Sequence, residues 1–219
     1  MSNLNEIVNI VEIKNNMDLK NLIFDVGDVL LSYRWKDMLM DYGLKEDDAI
    51  RVGTEMFEDP EKLWHVFDLG TKSDEEIIEA FCQKYPDDAE EIRWFISHGE
   101  FMHVPRPEVY KSIKTLKEQG YGIYILSNYP ESLFKKHLMY SEVLDYVDGM
   151  MVSYMINEAK PDAVIYEALC KKYNLKPEEC LFFDDRLENV KGAKACGIEA
   201  IQVKSREQIA RDLEKLIKA

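Results

Sequence analysis

The chain has no apolar run near the roughly 20 residues that a bilayer-spanning helix requires, so no transmembrane segment is expected. Its first residues, MSNLNEIVNIVEIK, lack a basic leader followed by a clean apolar stretch, and no secretory signal is expected. Cysteine is sparse: Cys82, Cys170, Cys180 and Cys196 stand apart, with no C-x-x-C pair. A secreted disulfide framework is denser and sits in a smaller chain, so four reduced packing thiols are expected. His65, His98, His103 and His137 include no i, i+4 pair and have no nearby cysteine, which removes the usual zinc spacings. Positive charge is also short. Lys and Arg total 28 against 42 Asp and Glu, a formal charge of −14 with a pI near 4.8. That field repels phosphate backbones and anionic lipid headgroups, so neither a nucleic acid nor a membrane is an expected partner. Internal repeats and low-complexity tracts are absent from the sequence.

What remains is 219 residues, 46% hydrophobic and 11% aromatic, enough for one large domain or a core with a modest second lobe. A cytoplasmic globule is expected. Residues 1–16 stand apart as an extension in which Leu4, Ile7, Val8 and Val11 fall at helical spacing. From Met17 the sequence reads like a natural start and leads to a strand, LIFDV, ended at Gly27. Between about Tyr33 and Val104 no convincing strand appears. Five helices are expected there. One ends at Tyr42-Gly43, and one runs from Glu46 to before Asp59-Pro60. A third spans Pro60 to Gly70, and a fourth follows a capping box of Ser73 and Glu76. The last runs from about Pro86 to Met102. After Pro105, helices alternate with the strands YGIYILS, MMVSY, CLFFDD and EAIQV. The expected fold is α/β: a Rossmann-like parallel sheet core (17–32 and 105–219) with an inserted all-helical lobe (33–104).

Ligands of an open parallel sheet bind at the carboxyl ends of its strands. Those ends carry Asp25, Ser127-Asn128 and Asp184-Asp185, and Lys160-Pro161 precedes a nearby helix. Singly, each reads equally well as a cap, a turn or a solvated loop. An apolar run ending in adjacent aspartates is harder to read that way, because the two acids repel unless a cation sits between them.

Taken in order, Phe24-Asp25-Val-Gly-Asp-Val29, Leu126-Ser127-Asn128, Lys160-Pro161-Asp162 with Ile165-Tyr166, and Phe183-Asp184-Asp185 with Glu188-Asn189 resemble the four motifs of the haloacid dehalogenase superfamily. Gly192 and Gly197 fit the punctuation of the last motif, and the resemblance covers Asn21 to about Val203. The helical insert resembles the family's type C1 cap. Its Asp68-Leu-Gly70 and Ser73-Asp-Glu-Glu76 resemble the branch that includes bacterial glucose-1-phosphate phosphatases. The resemblance implies a Mg²⁺-dependent phosphatase of a small phosphorylated substrate. Asp25 would attack phosphorus to form an aspartyl-phosphate, and Lys160 would balance the negative charge. Asp25, the Gly27 carbonyl, Asp185 and Asp184 (directly or through water) would hold the metal. Ser127 would hold phosphoryl oxygens, and Asn128 would orient substrate or a backbone loop. For Arg186 an external ion pair is expected.

One departure matters. The family's phosphatases carry a second Asp two positions after the nucleophile as general acid and base, and here that position is Gly27. On an extended backbone Asp28 points to the face opposite Asp25, although a local turn at Gly27 could bring it back. Without the acid, substrates with acidic leaving groups are favoured, which suits an anomeric sugar phosphate. Two alternatives stay open: a 2-haloacid dehalogenase of the same fold, and a non-catalytic regulatory protein. Trp35, Trp64, Phe67, Trp94 and Phe95 are expected to pack the insert, with one or two of Arg34, Trp35, Trp64 and His65 facing the substrate. The acidic stretches at 46–48 and 87–91 are expected to be solvated helix starts.

Overall fold

In the computed structural model, which describes residues 10–218, α1 (Ile10–Asn16) leads into β1 (Asn21–Phe24) and β2 (Leu31–Tyr33). Helices α2 (Trp35–Tyr42), α3 (Glu46–Phe57), α4 (Leu63–Asp68), α5 (Asp74–Lys84) and α6 (Ala89–Ser97) come next. Then β3 (His103–Pro105) returns the chain to α7 (Pro107–Glu118), β4 (Gly122–Ser127), α8 (Glu131–Leu138) and β5 (Gly149–Val152). It finishes with α9 (Ala163–Tyr173), β6 (Cys180–Asp184), α10 (Leu187–Ala195), β7 (Glu199–Gln202) and α11 (Arg206–Lys218).

Five strands form one parallel sheet in the order β5-β4-β1-β6-β7, which sets β1 between β4 and β6. Alternate side chains divide cleanly. Leu22, Phe24, Ile123, Ile125, Leu181 and Phe183 pack with Ile113 of α7 and Leu213 of α11 on one face. Ile23, Tyr124, Leu126 and Phe182 pack with Tyr166 of α9 and Ala193 of α10 on the other. Both faces are dry, so the central strands are apolar throughout rather than alternating. This is the expected Rossmann-like core, with α2–α6 inserted after its first strand.

Several local expectations change. The insert is joined to the core by a two-stranded antiparallel ribbon, β2 with β3, pairing Leu31 with Pro105 and Tyr33 with His103. At three residues each, these strands are too short to show a period in sequence. Helix α4 starts at Leu63 rather than Pro60, because the Asp59 carboxylate accepts the Leu63 N–H at 3.0 Å and Lys62 turns left-handed at φ 55°. Tyr85 at 2.8 Å and Lys84 at 2.6 Å hold that carboxylate in place. The expected Pro86–Met102 helix is a short 3₁₀ turn at 86–88, then α6, then a second 3₁₀ turn at 99–101. Asp88 is buried against Arg51 rather than solvated. The capping box forms as expected: Ser73 Oγ accepts the Glu76 N–H and Glu76 Oε2 accepts the Ser73 N–H. Of the N-terminal helical spacing, Leu4, Ile7 and Val8 lie outside the described residues. α1 docks on the core, with Ile10 buried and Lys14 Nζ donating to the Leu216 carbonyl at 3.2 Å. No described helix is long and apolar enough to cross a membrane.

Leu213 is fully buried and Leu187 is 47% exposed. Leu213→Ala should therefore cost about 2–5 kcal/mol of folding free energy through the cavity it leaves. Leu187→Ala should stay within about 0.5 kcal/mol. Urea unfolding of both variants checks this, and equal losses would contradict the assigned packing.

Candidate active site

Backbone pairing of β1 with β6 continues one residue past Phe24: the Asp25 N–H donates to the Phe183 carbonyl at 2.9 Å. That bond fixes where the Asp25 carboxylate begins. Its Oδ1 accepts from the Ser127 hydroxyl at 2.5 Å, the Val26 N–H at 2.7 Å and the Lys160 ammonium at 2.9 Å. Oδ2 takes none of these bonds.

Lys160 is buried, and its Nζ also reaches Asp184 Oδ2 at 2.6 Å and the Leu126 carbonyl at 3.0 Å. Burial works against its charge, but the Asp184 and Asp25 carboxylates raise it above the ordinary lysine value. Asn128 clamps the lysine's own peptide: Nδ2 donates to the Lys160 carbonyl at 2.9 Å and Oδ1 accepts the Lys160 N–H at 2.8 Å. The Asp184 oxygens also take the Arg186 N–H at 2.8 Å and the Asn189 amide at 3.0 and 3.1 Å. Asn189, quoted with the last motif, thus supports Asp184. The Arg186 side chain pairs with Glu188 at 2.7 Å, as expected.

Asp25, Asp184 and Asp185 each offer a carboxylate oxygen within 4.8 Å of the others. Burial raises Asp25 to about 7, opposed by Lys160 and helped by Asp184 and Asp185. Burial and Asp184 raise Asp185 to about 6. Such crowding is what a hard divalent cation relieves, and an all-oxygen donor set is what Mg²⁺ accepts. The residues present therefore fit the metal. Gly27 lines the same cavity.

That cavity, of about 400 Å³, lies between sheet edge and insert. Its floor is Asp25, Gly27, Ser127, Asn128, Lys160 and Asp185; the insert contributes Trp35, Thr54, Phe57, Glu58, Trp64 and Asp68. Phe57 meets Trp64 and Trp35 edge-on at 4.6 and 5.6 Å between ring centres. Of the four insert residues considered for the substrate side, Trp35 and Trp64 line the cavity, Arg34 pairs with Asp41 at 2.5 Å and His65 is exposed.

The profile of the haloacid dehalogenase-like hydrolases matches residues 19–197. The chain belongs to that family. Phosphatase MT3486 of Mycobacterium tuberculosis (strain CDC 1551 / Oshkosh) is 27% identical over 229 aligned positions, covering 91% of this chain and 96% of that protein. A HAD-like family hydrolase of Porphyromonas gingivalis superposes with a TM-score of 0.71 at 23% identity, covering 92% of this chain and 98% of its own. A HAD family enzyme of Bacteroides thetaiotaomicron, solved with magnesium and inorganic phosphate, superposes at 0.65 with 22% identity, covering 85% and 95%. At such identities the two structures show a shared fold.

Two parts of this hydrolase's site escaped the sequence reading. The chain is not extended at Asp28: the N–H groups of Val29, Leu30 and Leu31 all turn back to the Val26 carbonyl, and Asp28 is left-handed at φ 51°. The alternative of a local turn at Gly27 is the one that forms, and Asp28 lines the same cavity as Asp25. Its carboxylate lies 3.5 Å from the buried Arg106, which also bonds the Asp28 and Val29 carbonyls and Ser32. Arg106 precedes Pro107 far along the chain, and no sequence spacing signals this role. Tyr33 covers Gly27: a Cβ there would lie 2.7 Å from both its ring edge and its hydroxyl.

With Asp25 at about 7 and Asp185 at about 6, the cation-free folded chain holds protons that the unfolded chain releases near about pH 4. Its stability therefore falls as pH rises through that window. Added Mg²⁺ should raise the melting temperature more at pH 8 than at pH 5. Thermal melts with Mg²⁺ and with EDTA check this, and an equal or reversed effect would contradict it.

Proposed function

We propose that this hydrolase is a Mg²⁺-dependent phosphatase of a small phosphorylated metabolite, acting through an aspartyl-phosphate on Asp25. It is placed among the phosphoric monoester hydrolases. The observation that carries the reading is the Asp25 carboxylate itself. Three donors hold Oδ1, so the carboxylate is oriented and Oδ2 is left for in-line attack on phosphorus. Ser127 and the Lys160 ammonium then lie where phosphoryl oxygens need donors. Asn128 holds the Lys160 peptide, the backbone role of the two considered for it. Asp25, Asp185 and the Gly27 carbonyl would hold Mg²⁺, with Asp184 completing the set while it anchors Lys160. The bound ion would neutralise phosphoryl charge in a site that is otherwise acidic. The clustered carboxylates favour phosphoryl transfer over a dehalogenase, which needs no cation. The phosphatase name of the Mycobacterium tuberculosis relative supports the same class.

The substrate favoured is a sugar phosphate, with the phosphate on the anomeric carbon. The aromatic faces of Trp35 and Trp64 suit the C–H faces of a sugar ring, and Thr54 and Glu58 suit its hydroxyls. Among the described lining residues the cations are Lys160 and Arg186, both from the core, so the insert offers no charge for a second phosphate. Gly27 carries no acid, so protonation of the leaving oxygen falls to a group outside the nucleophile loop, and a more acidic anomeric hydroxyl depends on that group less than a primary alcohol does.

Purified protein should hydrolyse 4-nitrophenyl phosphate with Mg²⁺ and not with EDTA, and Asp25→Asn should lose at least about 10³-fold in kcat. Glucose 1-phosphate should exceed glucose 6-phosphate in kcat/KM by about tenfold or more. Metal-independent turnover would overturn the mechanism, and equal rates on the two sugars would overturn the anomeric preference.

A further inference from the structure

We propose that Asp68, carried on the cap-like insert, is the proton donor to the leaving oxygen, replacing the acid that Gly27 lacks. The inference rests on the phosphatase reading. In-line displacement by Asp25 from the floor directs the leaving oxygen away from the sheet edge, toward the insert. A proton is needed on that side.

The core groups nearby cannot supply it. A side chain at position 27 would meet the Tyr33 ring, and the Asp28 carboxylate, although Asp28 lines the cavity, is paired with Arg106 at 3.5 Å. Ser127 donates to Asp25, and the Lys160 ammonium is shared among Asp25, Asp184 and the Leu126 carbonyl. The phenols are committed as well. His137 Nε2 lies 2.7 Å from the Gly99 carbonyl, which accepts only, so Nε2 carries the hydrogen. Burial holds that imidazole neutral, down to about 4, so Nδ1 accepts from the Tyr129 hydroxyl at 2.7 Å. Tyr129 has then spent its proton, and Tyr33 must donate to it. The direction of the whole chain is fixed by one carbonyl.

Asp68 is different. It ends α4, lines the cavity with Asp25 and Lys160, and its carboxyl takes no hydrogen bond or ion pair among the described residues. Its backbone, by contrast, is tied to the core. The Ser153 hydroxyl donates to the Asp68 carbonyl, and the Asn157 amide donates to the Leu69 carbonyl at 2.8 Å. The carboxyl is free, on a fixed base, in the cavity that Asp25 also lines. The charged and titratable groups lining the cavity with it are Asp25, Asp28, Asp185, Lys160, Arg186, Glu58 and the hydroxyls of Tyr33 and Tyr129. Loss of water raises Asp68 to about 8, opposed by Arg186 and Lys160 and helped by Asp25.

In the first step Asp25 Oδ2 bonds phosphorus, the bond to the leaving oxygen breaks, and that oxygen takes the Asp68 proton, releasing an alcohol and leaving Asp68 as carboxylate. In the second, water bonds phosphorus, the Asp25 oxygen leaves, and the water's proton returns to Asp68 as inorganic phosphate forms. No other reactant is required.

The test compares 4-nitrophenyl phosphate with benzyl phosphate, which share a ring and differ in leaving-group acidity. For Asp68→Asn with Mg²⁺ present, kcat/KM on benzyl phosphate should fall by about 10²–10⁴-fold, and on 4-nitrophenyl phosphate by less than about tenfold. The fall in the benzyl rate of the wild type at alkaline pH should disappear in the variant. Equal losses on both substrates, no loss on either, or an unchanged alkaline limb overturns the assignment. Wild-type protein inert on both substrates overturns the phosphatase reading itself, and turnover of 4-nitrophenyl phosphate that Asp25→Asn abolishes keeps that reading whatever Asp68→Asn does.

Discussion

One buried ammonium organises the site: Lys160 Nζ between the carboxylates of Asp25 and Asp184, at 2.9 and 2.6 Å. An unpaired charge at such depth costs several kcal/mol, so each member of the triad holds the other two in place. The supports reach outward from it. Asn128 fixes the Lys160 peptide, Asn189 fixes Asp184, and the Tyr166 hydroxyl takes the Asn189 carbonyl at 2.8 Å. Helix α10 can approach the Lys160-Pro161 loop because position 192 is glycine: a Cβ there would lie 2.6 Å from the Pro161 carbonyl oxygen. The motif glycine is thus a packing requirement of the ammonium's position.

The same triad is the reason a second cation enters the proposed mechanism although the site already contains one. Lys160 is consumed by two acids, and Asp185 adds a third carboxylate to the cluster. An anionic phosphoryl group arriving there meets net negative charge unless a second positive ion is present. The overall acidity of the chain is then a separate matter from the local field, because a bound metal and a lysine act within a few ångströms.

Much of the core was legible because its signals are local. The central strands are apolar on both faces, and their ends carry acids in a fixed order, so Asp25, Ser127, Lys160, Asp184 and Asp185 could be placed together from the sequence. Legibility failed where a side chain from elsewhere reshapes the backbone. Asp59 delays the start of α4, and the turn at Val26 redirects Asp28. Arg106 and Tyr33 reach the loop after Asp25 through the ribbon of β2 and β3, whose strands have three residues each. Pairing of that kind is decided by tertiary contact and leaves no periodicity to read.

Placing the proposed nucleophile and the proposed proton donor on different lobes has a consequence for how the site would work. Asp25 follows the central strand, whereas Asp68 enters the cavity from the α4 corner that Ser153 and Asn157 bond to the core. Protonation of the leaving group is therefore conditional on the two lobes being together, as water exclusion is. Tyr33 joins these conditions, because it covers Gly27 and also pairs with His103 across the ribbon that connects the lobes. His103 in turn packs against His137 at 4.4 Å between ring centres, the rings tilted by 32°, and His137 holds both Tyr129 and the Gly99 carbonyl of the insert. A phenol that belongs to both the connecting ribbon and the wall of the site cannot serve as a mobile acid without disturbing the ribbon. A carboxyl with no other partner can, and the division of roles between Tyr33 and Asp68 follows from that difference.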